Sequence, residues 1–202
     1  TFTPGRDAAR KEASKLNVPR IGVRFRLPAS MNQVEYFGRG PAENYLDRNA
    51  GSMVGLYKST AEELYFPYVR PQENGHHTDT RWVSLSTGKK GLLIQADNTI
   101  GFNALRNSIE DFDDEEATGL SRQWSNFTPE QVANHDEAAA KNVLRRQHHI
   151  NDITPRDFVE VCVDLKQQGV AGYDSWGSRP EPAYTLPANR EYNWGFTLIP
   201  LK

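Results

Sequence analysis

The feature that most constrains the fold of this chain is the strict alternation of apolar and other residues in several short segments. Residues 20–28 (RIGVRFRLP) carry apolar side chains at every second position, and residues 157–166 (DFVEVCVDLK) repeat the pattern. A period of two is typical of strands with one buried face. A hairpin is indicated at 81–96, and further strands at 33–40 and 191–199. Residues 64–70 are β-prone but contain Pro67, which predicts an edge strand or a bulge, and another strand is expected to start at 101–105. The sequence therefore predicts seven or eight strands in a mainly β, antiparallel sandwich or large twisted sheet.

One helix is predicted with clear signals. Thr128 is suited to the N-cap, Pro129 to the first helical position and Gln131 to the capping box. The helix is expected near 129–146 and is the one main helix of the fold.

The first residues of the chain and its acidic run lack a clear apolar periodicity. Residues 1–18 have almost no apolar periodicity and are interpreted as a linker or arm, whereas 19–202 are interpreted as a single β-sandwich domain. The run at 109–116 is read as a solvated face or loop, because neighbouring carboxylates do not converge on a cation.

Composition excludes several classes of protein. The 24 basic and 26 acidic residues give a formal charge of −2, which argues against electrostatic nucleic-acid binding. No apolar run approaches the ~20 residues of a membrane span. A single cysteine, Cys162, excludes an intramolecular disulfide and a multi-cysteine zinc site. Because Cys162 alternates with Glu160 and Asp164, it is expected to be partly exposed. The compartment stays open between cytoplasm and periplasm.

Familiar catalytic signatures are missing from the sequence, which has no phosphate-binding glycine loop, no GxSxG and no HExxH. Two histidine pairs invite comparison with metal ligands: His76 and His77, and His148 and His149. Adjacent side chains point apart on a strand or helix, so each pair offers one ligand at most, and loop or surface histidines are expected instead.

Four carboxylates are candidates for a hydrolytic acid and nucleophile, but their spacing selects no pair. They are Glu43, Glu73, Asp174 and Glu181.

The most informative segment is 169–177 (GVAGYDSWG), which directly follows a predicted strand. Such a glycine-rich loop is able to present Trp176 to solvent while Asp174 bonds the backbone of the turn. An indole on a rigid loop suits stacking on the apolar C–H face of a sugar. The alternative is an indole that folds back onto the core.

Several segments together resemble one family. These are PRIGVRF, FGRGPAENYLDR, YVRPQENGHHTDTRW, VDLKQQGVAGYDSWG and the closing YTLPANREYNWGFTLIP. In this order and approximate spacing they look like the C-terminal, small-chain domain of the large β-galactosidases of glycoside hydrolase family two.

The resemblance implies a large antiparallel supersandwich similar to galactose mutarotase, packed against an upstream (β/α)-barrel that carries both catalytic glutamates. It implies hydrolysis of terminal β-galactosides, with magnesium and sodium sites in the upstream part and a homo-oligomeric full protein. No catalytic or metal-binding residue is expected in this chain, and the fragment alone is expected to be inactive.

In the family the matching loop brings a tryptophan to the rim of the sugar pocket, at the aglycone position. By resemblance this residue is Trp176, and Asp174 and Ser175 are loop-shaping residues. Tyr173 departs from the family, where an aspartate is usual. The stretch 111–140 resembles an added acidic, helical insertion.

The family domain begins earlier than residue 1, so the resemblance implies truncation on the N-terminal side and an uncovered sheet edge or apolar face. Two other functions stay open. One is a stand-alone carbohydrate-binding or aldose-1-epimerase-like sandwich, and the other is a purely structural interface domain.

Overall fold

The computed structural model describes residues 16–112, 150–174 and 176–202. These ranges contain seven β-strands, namely β1 (Arg20–Pro28), β2 (Gln33–Gly40), β3 (Met53–Thr60), β4 (His77–Ser86), β5 (Gly91–Leu105), β6 (Phe158–Gln167) and β7 (Phe196–Leu201). They also contain three single-turn 3₁₀ helices, at Ile109–Asp111, Ile150–Asp152 and Pro182–Tyr184. None of the described helices has the length and apolar character needed to cross a bilayer. The helix predicted at 129–146 lies outside the described residues.

All seven strands belong to one antiparallel sheet, in the order β1-β6-β5-β4-β2-β3, with β7 beside β5. The 15-residue β5 organises this arrangement. Residues 91–96 of β5 pair with β7, and residues 101–105 pair with β6. The mainly antiparallel β architecture is therefore confirmed, and the described part of the chain forms a single open sheet. The segment 101–105 continues β5 and is not a separate strand.

One face of the sheet builds the core, as the alternation predicts. Val159, Val161 and Val163 of β6 are fully buried beside Ile94 and Phe102 of β5. A smaller cluster forms where Ile21, Leu186 and Tyr192 pack together.

Two segments differ from the prediction. Residues 64–70 are β-prone in sequence, yet they form irregular structure. Pro67 has no amide to donate, and the N–H of Phe66 bonds the side chain of Asn74 at 3.1 Å instead of a neighbouring strand. Residues 191–199 become a strand only from Phe196 onward, because Tyr192 is drawn into the smaller cluster.

The second face of the sheet is exposed near one edge and covered near the other. Near β2 and β3 it exposes a cross-strand row in which Leu56 pairs with Phe37 and Phe37 pairs with Trp82. Phe37 and Leu56 are exposed.

On β6, by contrast, the second face is covered. Glu160, Cys162 and Asp164 are buried, with Cys162 only 3 % exposed. The prediction that Cys162 is partly exposed is wrong, because segments 73–74 and 105–112 fold over this part of the sheet and enclose a small cavity beside it. Burial raises the pKa of Cys162 to about 12, so its thiol stays protonated.

Candidate functional site

The candidate site is the loop 169–177, which begins two residues after β6 ends at Gln167. Gly172 and Gly177 have φ angles of 86° and 82°, in the left-handed region that favours glycine. The carboxylate of Asp174 accepts the backbone N–H of Trp176 at 2.7 Å. This local bond is the turn-shaping contact predicted for Asp174. Ser175 lies outside the described residues.

The indole of Trp176 points into solvent and is 92 % exposed. An exposed indole is what a rim side chain requires, and the alternative of a core tryptophan does not hold. That Trp176 contacts a sugar remains a prediction.

The start of this loop is held by the carboxylate of Asp47. Its two oxygens accept the backbone N–H groups of Val170 at 3.1 Å and Ala171 at 2.8 Å. The hydroxyl of Tyr173 lies 3.4 Å from the same carboxylate. Gly169 packs directly on Asp47, and a Cβ at this position would lie 2.5 Å from the carboxyl carbon. One acidic side chain therefore organises four consecutive or near-consecutive positions of the loop.

The segment that carries Asp47 is itself fixed to the sheet. The side chain of Asn44 accepts the backbone N–H of Thr78 at 3.0 Å and donates to the carbonyl of Arg39 at 3.1 Å. Glu43 accepts the N–H of Gly75 at 2.6 Å and pairs with Arg48 at 2.6 Å. Residues 43–48 thus form a bonded base below the loop.

A second polar group lies deeper, and we call it the ionic cluster. It consists of Arg20, Glu73, His76, Asn103 and Asp164. Arg20 donates to Asp164 at 2.8 Å and to the side-chain oxygen of Asn103, and lies 3.6 Å from Glu73. His76 is 2.8 Å from the same oxygen of Asn103 and stacks on the ring of Tyr45.

Burial sets the ionisation of this cluster. It raises the pKa of Asp164 to about 7, although the nearby Arg20 acts in the opposite direction. Burial and the charge of Arg20 lower the pKa of His76 to about 3, so the imidazole is neutral at physiological pH. The cluster is thus a satisfied internal network around one guanidinium.

The family described as "Beta galactosidase small chain" matches residues 3–198. This chain belongs to the β-galactosidase small-chain family. A β-galactosidase of Priestia megaterium is 35 % identical over 185 residues, which cover 91 % of this chain and 15 % of that protein. One of Arthrobacter sp. is 40 % identical over 111 residues, covering 52 % of this chain and 11 % of that protein. One of Vibrio cholerae is 29 % identical over 181 residues, covering 90 % and 14 %.

The small-chain domain therefore spans about 15 % of the length of the curated relatives that it matches. Each of the three named relatives is called a β-galactosidase.

The prediction that His76 and His77 are loop or surface histidines is wrong. His76 and His77 are both buried, because they point to opposite faces of the sheet and each face is covered at that point. His77 packs between Tyr36 and Phe102, and its two ring nitrogens face the carbonyls of Gly75 and Pro41. His148 and His149 lie outside the described residues. Within the described ranges, no three His, Cys, Asp or Glu side chains are grouped to hold a metal.

Three of the four carboxylates weighed as catalytic groups have internal partners. Glu43 bonds Arg48 and Gly75, Glu73 lies beside Arg20, and Asp174 shapes the Trp176 turn. Glu181 immediately precedes the 3₁₀ helix at Pro182–Tyr184. Asp47, which sequence reasoning did not single out, is the carboxylate that the structure brings to the loop. It lies within the segment FGRGPAENYLDR, but 123 positions separate it from Val170, and no local pattern connects the two.

Proposed function

We propose that this chain is the C-terminal, small-chain domain of a β-galactosidase that hydrolyses terminal β-galactosides with retention of configuration. Its contribution to catalysis is the indole of Trp176, placed at the rim of the sugar pocket in the aglycone subsite. The observation that carries this proposal is the 92 % exposure of a tryptophan on a shaped loop, in a chain of the small-chain family.

The chemistry itself is assigned to an upstream barrel. Retaining glycosidases use two carboxyl groups about 5–5.5 Å apart, one as acid and base and the other as nucleophile. Magnesium and sodium are assigned to the same upstream part, and the full enzyme is proposed to be a homo-oligomer. The small-chain domain adds a flat apolar wall on which the C–H face of the acceptor sugar stacks.

The 202-residue chain alone is then expected not to hydrolyse a chromogenic galactoside. Binding a substrate without stabilising its transition state does not accelerate the reaction. Turnover by the purified chain that disappears when one of its own carboxylates is replaced would contradict this division of labour.

The direct test of the proposal is Trp176→Ala in the full-length enzyme. A ring stacked on a sugar is worth on the order of 1–2 kcal/mol, judged from aromatic pairs. Transfer of galactose to glucose as acceptor should therefore fall about tenfold, since ~1.4 kcal/mol is one decade.

Two matched variants control the test. Trp176→Phe keeps a ring and should retain part of the transfer, and Lys89→Ala removes an exposed side chain from the turn between β4 and β5 and should change nothing. Normal acceptor kinetics in Trp176→Ala, accompanied by a large fall in melting temperature, would refute the proposal.

The mutarotase-like alternative needs a general acid and a general base that converge in an open cleft. Glu73 and His76 are the obvious candidates, but His76 is 1 % exposed and lies against Tyr45 and Asn103. This burial favours the domain proposal. The presence of a barrel with two catalytic glutamates upstream in the reading frame separates it from both alternatives.

A further inference from the structure

We infer that Asp47 is a positioning residue for the acceptor subsite: it fixes the start of the Trp176 loop to the sheet and so sets where the indole stands. This inference rests on the proposed function. It assigns to Asp47 no contact with substrate, and it treats the carboxylate as the anchor through which Trp176 acts.

Three donors converge on the carboxylate of Asp47. Two consecutive backbone N–H groups, of Val170 and Ala171, and the hydroxyl of Tyr173 point at the two oxygens of Asp47. Hydrogen bonds to an ionised acceptor are about twice as strong as those between neutral groups. Because Ala171 has a φ of 54°, these amides are held in a backbone conformation that needs such support.

The backbone of the loop also packs directly on Asp47. Gly169 lies so close to Asp47 that an added Cβ would approach the carboxyl carbon to 2.5 Å. The backbone of the loop therefore rests on the carboxylate without a side chain between them. This close approach leaves little freedom for the loop to shift as a body.

Asp47 itself lies in a segment that is bonded to the sheet. Asn44 and Glu43, a few residues earlier, are bonded to Thr78 and Gly75 at the entrance to β4. Asp47 thus connects the sheet to a loop that lies more than a hundred residues later in the chain, and so fixes the position of that loop.

Tyr173 fits the same arrangement. Desolvation and the neighbouring Asp47 carboxylate raise the pKa of its hydroxyl. A phenol, whose ordinary pKa is about 10, is protonated at neutral pH and is able to donate. This hydroxyl adds a third hydrogen bond to the carboxylate of Asp47.

Loss of the anchor should leave the local turn in place. The Asp174 bond to Trp176 and the bond from the Tyr173 N–H to Ser178, at 3.1 Å, do not involve Asp47. Asp47→Ala should therefore keep the shape of the turn but release its position, and the indole should be lost from the acceptor subsite for most of the time.

The experiment is a double-mutant cycle in the full-length enzyme, with galactosyl transfer to glucose as readout. Asp47→Ala is expected to lower transfer by about five- to tenfold, close to the loss in Trp176→Ala. The double variant should be no worse than Trp176→Ala alone, because both changes remove the same contact.

Three further variants complete the cycle. Asp47→Asn keeps one acceptor oxygen and should be intermediate. Tyr173→Phe removes a single donor and should lose about twofold, which keeps the test valid if Asp47→Ala fails to fold. Asp157→Ala removes an exposed carboxylate at the other end of β6 and should match the unaltered enzyme.

Hydrogen exchange supplies a readout other than activity. In Asp47→Ala the amides of residues 170 and 171 should exchange faster, whereas those in the middle of β6 should not. If Trp176→Ala lowers transfer but Asp47→Ala and Tyr173→Phe both leave it unchanged, the inference is overturned and the proposed function stands. If Trp176→Ala itself has no effect, the proposed function fails and this inference fails with it.

Discussion

The Trp176 loop and the ionic cluster use polar side chains in opposite ways. In the loop, the Asp47 and Asp174 carboxylates hold a backbone that presents one apolar ring to solvent. In the cluster, five polar side chains bond one another, and Asp164 is only 1 % exposed. Buried charges are retained only when they are paired and hydrogen-bonded. In this chain, therefore, the polar side chains of the ionic cluster stabilise the fold, whereas those of the loop leave one indole exposed.

Removing the central cation of the cluster should give the largest effect. At pH 8, where Asp164 is ionised beside Arg20, Arg20→Met leaves this buried carboxyl group without its partner at 2.8 Å. Breaking a buried pair in this way typically costs about 3–5 kcal/mol. Urea unfolding of the chain followed by circular dichroism measures this loss.

A matched surface pair provides the control. Lys58 lies 3.5 Å from Glu35 at an exposed position, and Lys58→Met should cost no more than about 1 kcal/mol. Equal losses in the two variants would remove the distinction between the cluster and the surface.

Acid should expose two opposing protonation effects within the cluster. The pKa of His76 is lowered to about 3 in the folded state. As pH falls below the unfolded value near 6.5, only the unfolded chain takes up this proton, so the free energy of unfolding decreases. The pKa of Asp164 is raised to about 7, so protonation of this carboxyl adds stability as pH falls from 7 toward 4. The two contributions largely cancel between pH 6.5 and 5.

Asp164→Asn should remove this cancellation. Besides lowering stability at pH 7, the variant should lose about 2 kcal/mol more between pH 6.5 and 5, from ~1.4 kcal/mol per pH unit for one proton. Unfolding at a series of pH values tests this. A variant whose stability is level across that range would show that His76 is not held neutral by burial.

Replacing a glycine should lower stability more in the crowded ionic cluster than in an open turn, although this difference is smaller than the effects above. Gly101→Ala would place a Cβ 2.5 Å from the His76 ring, whereas Gly51→Ala meets nothing within 4 Å. The first change should cost about 1 kcal/mol or more and the second should be close to neutral. Thermal unfolding of the two variants side by side gives the difference, and similar melting temperatures would mean that the ring has room to move.

The smallest effect on stability is expected in the loop. Trp176→Ala leaves no core cavity, because the indole is in solvent, and should change the free energy of unfolding by less than about 0.5 kcal/mol. A loss of about 3–5 kcal/mol would instead indicate a buried ring.

The sequence predicted those parts of the fold that depend on local periodicity. Residues 20–28 and 33–40 form β1 and β2 within the predicted bounds, and the hairpin at 81–96 lies in β4 and β5. Alternation identified the core face of β6. It did not identify the burial of Cys162 and Asp164 on the second face. That burial depends on segments 73–74 and 105–112, which are distant from β6 in sequence.

The candidate site divides in the same way. The glycines of 169–177 and the short bond from Asp174 are local, and they predicted an exposed Trp176. Asp47 was missed because its partners lie 123 and 124 positions away, and nothing in a single sequence brings these positions together. The burial of His76 and His77 was not predicted either, because the rings that cover them come from other strands and loops.

The central claim is that this domain contributes a recognition ring and no catalytic group. The most direct measurement is a crystal structure of the full-length enzyme with a galactosyl disaccharide bound. The account predicts that ring atoms of Trp176 lie within about 4–4.5 Å of the C–H face of the acceptor sugar, and that no carboxylate of this chain reaches the glycosidic oxygen. An indole turned away from the sugar, or a carboxylate of this chain bonded to that oxygen, would contradict it.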